Sequence, residues 1–176
     1  MAHWLLSAAP NQTAARAEWE KYGIAVLACG GVLSAVRVPA SIVFAAAGAG
    51  TSAAKASPEQ IAAIDVVLSD HLDGGAVVMD VPNRQYYFLV PASMGRLWDP
   101  RGYPGVECLG SGSYLGVPLV DHTVPEGRVY WAVEMDSPGD LCFPGEVAAL
   151  LHRGQAALGS PPPSPREPQL LAEHFG

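Results

Sequence analysis

The chain has 176 residues and a mass of 18.4 kDa, with 49% hydrophobic and only 15% charged residues, enough apolar material for a sizeable core and too little charge for a disordered chain. Its formal net charge is -7 and its pI about 5.1, which argues against an electrostatic grip on duplex DNA or anionic lipid. Eight arginines against two lysines, dispersed along an alanine-rich chain, are a bias that high-GC codon usage alone produces and carry no binding inference.

Cys29, Cys108 and Cys142 are odd in number and scattered, with no CxxC pair or disulfide-like spacing, which fits a reducing compartment. The opening Met-Ala-His-Trp-Leu-Leu lacks the basic start and the longer apolar stretch of a secretory signal, and no apolar run approaches the ~20 residues that span a bilayer. A cytoplasmic location without membrane contact is the expectation.

The first predicted helix runs from Asn11 to Tyr22, because Asn11 is a good cap, Ala15, Trp19 and Tyr22 recur at helical spacing, and Gly23 stops it. Ile24–Ala28 and Val32–Val38, joined by Cys29-Gly30-Gly31, read as a hairpin of two strands. Pro39 opens a short helix through Ile42, Val43 and Phe44, and the small residues from Gly48 to Ser57 form a flexible connection. Ser57-Pro58-Glu59-Gln60 combines a cap, a first-turn proline and early polar residues ahead of Ile61, Ile64 and Leu68, so a helix should run to about Leu72. A second hairpin follows, Ala76–Val81 and Gln85–Val90 around Pro82-Asn83-Arg84. Val106–Leu109, Tyr114–Val117 and Val129–Val133 are further strands, and Pro144–His152 is a closing helix with Val147, Leu150 and Leu151 inward.

This order of helices and hairpins predicts an α+β domain over residues 1–158 whose sheet is mainly antiparallel, with helices packed on it. The prolines from Pro161 to Pro165 make residues 159–176 a flexible tail, although Leu170, Leu171 and Phe175 offer a short helix something to dock with. Cys29-Gly30 leading to Val38-Pro39 and Cys108-Leu109-Gly110 leading to Val117-Pro118 share a weak hairpin echo, consistent with two hairpin-containing halves.

Cys108-Leu109-Gly110-Ser111-Gly112-Ser113-Tyr114-Leu115-Gly116-Val117-Pro118, with Gly127-Arg128-Val129-Tyr130-Trp131 after it, carries a family likeness, as do Val36-x-Val38-Pro39-Ala40, Gly74-Gly75-Ala76-Val77-Val78 and Tyr87-Phe88-Leu89-Val90-Pro91. From Trp4 to about Arg153 the chain resembles small standalone actinobacterial proteins related to the primase-polymerase (Prim-Pol) domain of the archaeo-eukaryotic primase superfamily. The resemblance implies a Prim-Pol-like fold and an ancestral site for nucleotides. Polymerising members hold two metal ions about 4 Å apart with paired strand carboxylates. This chain has only Asp80 on the expected strand, followed by Val81-Pro82, and Gly112-Ser113-Tyr114 stands where the family places a phosphate-binding histidine beside a glycine pair. Templated polymerisation is therefore not expected.

Several constellations bear on chemistry. Asp121-His122 in a loop is a general acid/base candidate, with Asp80 as the remaining strand carboxylate. Arg84 and Tyr87 suit an anionic or planar ligand, and Ser111, Ser113 and Tyr114 line a glycine-rich turn able to face a phosphate. Asp65, Asp70, His71 and Asp73 are the densest set of metal-ligand types; the simpler account places Asp65 and Asp70 on a wet helix face and His71 at the helix C-terminus, so no cofactor is predicted and a divalent cation stays the weaker option. Cys108 with His122, or Cys142 with His71, would need adjacency to form a thiolate and base, and isolated cysteines are usually buried. Trp98, Tyr103, Tyr86 and Trp131 either stack on a planar ligand or fill the core.

The leading expectation is a catalytically reduced Prim-Pol-like accessory or regulatory protein that binds a nucleotide, nucleic acid or partner. A small-molecule enzyme of isomerase or cyclase type, serving specialised metabolism through the repurposed cleft, is the alternative, and an enclosed apolar pocket holding Arg84, Asp121 or His122 would favour it. A third option is an interaction scaffold that forms a homodimer through a sheet edge or apolar helices.

Overall fold

The computed structural model describes residues 1–49 and 55–159. Thirteen elements follow in the order α1 (Ala2–Leu6), α2 (Gln12–Tyr22), β1 (Ile24–Ala28), β2 (Leu33–Pro39), α3 (Ala40–Ala46), α4 (Pro58–His71), β3 (Ala76–Asp80), β4 (Gln85–Pro91), α5 (Met94–Leu97), β5 (Glu107–Leu109), β6 (Tyr114–Pro118), β7 (Val129–Val133) and α6 (Pro144–Ala157). The fold is α+β, with every strand pair antiparallel: a five-stranded sheet in the order β5-β2-β4-β3-β7 and a two-stranded sheet of β1 with β6.

Local signals act where the residues place them. Asn11 accepts a hydrogen bond from the Ala14 N–H at 3.0 Å, and Gly23 ends α2 at φ 72°, a left-handed conformation that suits glycine. Ser57 and Gln60 form a reciprocal capping box at α4, each side chain taking the other's backbone N–H. The β3–β4 hairpin pairs Ala76 with Leu89 through Asp80 with Gln85.

Strand alternation splits the core into two layers. On β4, Tyr86, Phe88 and Val90 join α3, α4 and α6, whereas Leu89 joins α1, α2, β1 and β6 on the opposite face. A sheet covered on both sides explains why the central strands carry so few polar residues. The helical layer is tight: a Cβ added at Gly154 of α6 would overlap the carbonyl oxygen and side chain of Ile42 in α3.

Three expectations are corrected. Ile24–Ala28 and the strand after it do not form a hairpin: β1 pairs with β6, Ile24 opposite Pro118 through Ala28 opposite Tyr114, while β2 lies between β4 and β5. The reason is tertiary. The Cys29 N–H donates to Ser113 O at 2.9 Å, and Gly30, at φ 90°, lies against Ser111 so closely that a Cβ there would sit 2.5 Å from its backbone nitrogen. That contact turns the chain out of one layer into the other. The Trp19 indole N–H donates to Val117 O at 2.9 Å and ties α2 to the same pair of strands. Second, α6 extends to Ala157 and two short helices, α1 and α5, are additional. Third, Asp65 is not on a wet face but buried between α4 and the sheet. Half of the Gly48–Ser57 connection, residues 50–54, and nearly all of the proline-rich tail lie outside the described residues.

Candidate functional site

The sequence-nominated residues fall at three separate places. Asp80 ends β3 and closes its own turn, accepting from the Asn83 N–H at 3.1 Å and from Asn83 Nδ2 at 2.8 Å. Arg84 holds the left-handed φ of 54° in that turn, its carbonyl accepts from the Ala40 N–H, and its charge acts on the Tyr86 hydroxyl. Tyr87 lies on the opposite face of β4, paired with Arg37, whose guanidinium meets Glu107 at 2.5 Å. Burial raises the Tyr87 phenol, and the Asp80 carboxylate adds to the effect.

Ser111 and Ser113 belong to the β5–β6 turn. The Ser113 N–H is committed to Gly110 O at 3.0 Å, so the turn is closed by its own backbone, and Tyr114 is exposed at its edge. Asp121 and His122 stand in the β6–β7 loop, where His122 Nε2 donates to Glu126 O at 2.9 Å and His122 O accepts from the Trp131 N–H. These bonds account for the loop's shape. The metal-ligand types on α4 do not assemble: His71 Nδ1 donates back to Val67 O at 2.7 Å, the Asp73 N–H points to Glu146, and among the described residues no three His, Cys, Asp or Glu side chains converge as metal ligands. The cysteines are not poised as nucleophiles, since burial pushes the Cys29 and Cys108 thiols up to about 11 and that of Cys142 to about 12.

A different residue holds the most unusual environment. Asp65, only 8% exposed, sits on the inner face of α4 and accepts from the Tyr86 hydroxyl at 3.2 Å and from the Tyr130 hydroxyl at 2.6 Å. Both tyrosines are fully buried, one on β4 and one on β7. Burial raises the Asp65 carboxyl from 3.8 to about 6, and the two phenol bonds, which favour the charged form, only partly offset it. Burial, reinforced by the carboxylate beside them, holds both phenols firmly protonated.

Asp65 lines a cleft of about 520 Å³ between α4, the glycines that follow it, the β6–β7 loop and the edge strand β7. Its apolar lining comes from Val66 and Leu72 on the α4 side and Pro125, Trp131 and Val133 opposite, with Ser69, Thr123, Glu134 and Asp136 supplying polar groups. The Trp131 ring is oriented by its indole N–H, which donates to Leu119 O at 2.9 Å. Gly74 and Gly75, at φ 86° and 101°, bring the chain from α4 into β3 along this cleft; a Cβ at Gly75 would overlap the Cys142 backbone, and one at Gly74 would meet the Asp140 carboxylate. None of Arg84, Asp121 and His122 lines it.

An open cleft that mixes apolar and polar lining groups and carries one perturbed carboxyl is a candidate small-ligand site. Asp65 has a sequence signal in hindsight: with Ile61, Ile64 and Leu68 it completes the i, i+3, i+4, i+7 stripe of α4, a carboxylate set within an apolar face. Among the described residues no helix is long and apolar enough to cross a membrane. Comparison of the chain with family models, with curated proteins and with solved structures gives no match in any of the three.

Proposed function

We propose that this chain is a Prim-Pol-like accessory domain that does not polymerise nucleotides and that binds a small organic molecule in the cleft along β7. The observation that carries the proposal is Asp65: a buried carboxyl, raised to about 6 and held by two phenols, at the wall of a 520 Å³ cleft whose lining, among the described residues, contains no lysine, arginine or histidine. Nucleotide phosphates need cationic or N–H-rich partners, and this wall supplies carboxylates instead. The sole carboxylate on the expected strand, Asp80, spends both oxygens on Asn83, which supports a scaffold without a two-metal centre.

Two experiments test the proposal. Primer extension on a single-stranded template with nucleoside triphosphates and manganese or magnesium should yield no product; elongated primer would refute the loss of polymerisation. A thermal-shift screen of small organic molecules and nucleotides should find stabilisers among the organic molecules, because a ligand that binds only the folded state raises the unfolding temperature. Placing an indole in the cleft with Ser69→Trp, at an exposed position of α4, should abolish those shifts. Ligands that stabilise the Ser69→Trp protein equally well would locate binding elsewhere.

A further inference from the structure

We infer that the ligand of this cleft is a small organic cation, an amine or amidine joined to an apolar or aromatic body. The inference rests on the proposed binding role of the cleft and specifies its chemistry. Three carboxylates line one space: Asp65 from α4, and Glu134 and Asp136 from the segment leaving β7. Among the described residues no basic side chain lines it to balance them. Glu134 and Asp136 are exposed at the mouth, while Asp65 is buried in the wall.

The distribution of these groups separates a cationic organic molecule from a bare metal ion. Asp65 already accepts one hydrogen bond on each oxygen, and the three carboxylates do not converge as a ligand set. A metal ion needs several oxygens at one point within about 2.5 Å. An ammonium or amidinium group instead donates through N–H bonds to whichever lone pairs remain, and mouth carboxylates attract it from a distance without contact. The accessible apolar surface of Val66, Pro125 and Val133 then takes the uncharged remainder of the molecule. With about 520 Å³ available, a bicyclic aromatic amine fits with space to spare. An anion of the same shape would meet three carboxylates and no balancing cation.

The test uses three probes of nearly one shape: tryptamine, its neutral analogue tryptophol, and indole-3-acetate. Binding to the full chain is followed by titration calorimetry and ligand-observed NMR at neutral pH and low salt. Tryptamine should bind about tenfold more tightly than tryptophol, indole-3-acetate more weakly than either, and added salt should erode the tryptamine preference. Replacing both mouth carboxylates, Glu134→Gln with Asp136→Asn, should weaken tryptamine about threefold to tenfold and leave tryptophol unchanged. Both positions are exposed, so the variant should fold, and unchanged circular dichroism checks that it does. Tryptophol binding as tightly as tryptamine, or indole-3-acetate binding more tightly, overturns the cation assignment while leaving the cleft a ligand site. Equal weakening of tryptamine and tryptophol by the double substitution overturns it too. If no probe binds up to about 10 mM, the cation assignment fails, and if the wider screen also yields no Ser69-sensitive ligand, the binding role fails with it.

Discussion

Replacing Asp65 with asparagine should change how stability depends on pH, by an amount set by the site. A carboxyl whose pKa rises from 3.8 in the unfolded chain to about 6 in the folded protein binds its proton more tightly when folded. Its contribution to stability is therefore fully present below pH 3.8 and is lost as pH rises through 6. A rise of this size corresponds to about 3 kcal/mol between the two limits, since one pKa unit is worth about 1.4 kcal/mol. The asparagine amide has no charge to desolvate, and one phenol hydroxyl would turn to accept from it. The absolute stability of Asp65→Asn thus mixes electrostatics with a rearranged hydrogen bond, whereas the change in the mutant–wild-type difference with pH isolates the charge. Other groups cancel in that difference, including Glu59, which its Ser57 hydrogen bond lowers. Urea unfolding of both proteins from about pH 4 to 7.5, which spans most of that change, should show the mutant gaining roughly 2 kcal/mol relative to wild type, mostly between pH 4 and 6. A difference that stays constant to within about 0.5 kcal/mol across this range would refute the account of Asp65 as a desolvated acid.

Other outcomes follow from the packing. Gly154→Ala should destabilise by about 1–3 kcal/mol, read as a lower urea midpoint at unchanged slope, because the new methyl collides with the backbone of α3. Gly75→Ala should cost at least as much, since φ 101° adds backbone strain to overlap with Cys142. Trp19→Phe removes the side-chain donor to Val117 O but leaves that carbonyl in the β1–β6 ladder opposite Ala25, for a loss of about 0.5–1.5 kcal/mol, measured by the same unfolding experiment. Thiol labelling at pH 7.5 should be slow for Cys142 and accelerate on unfolding in urea, because the thiol is buried and bonded to Ala76 O; fast labelling in native buffer would contradict its placement.

Much of the fold is legible in short stretches of sequence because the forces that set those stretches are local. Asn11 and Gly23 bound one helix, Ser57 and Gln60 open another, and the turn at Pro82-Asn83-Arg84 joins two β-rich runs into the hairpin they form. Each of these choices is decided within a few residues by capping bonds, φ preferences and side-chain period. The α+β class follows from their order.

The sequence alone could not assign β1 its partner. Ile24–Ala28 is a strand by composition, and a glycine turn with another strand just beyond it suggests a hairpin, yet its partner is β6, about 90 residues later. Pairing is settled by which layer buries Ala25 and Leu27, and by the contact of Gly30 with Ser111, a long-range matter that no local propensity encodes. The site has the same character. Asp80, Arg84 and Asp121 stand out in sequence because polar residues gather near turns, and in the structure Asp80 and Arg84 shape a turn. Asp65 is inconspicuous in sequence, one acid on a helix, and owes its raised pKa to the burial it shares with Tyr86 and Tyr130 from two other strands. Local chemistry thus determines the elements, while desolvation and the convergence of distant residues, which exist only once the chain is folded, determine where a ligand can be received.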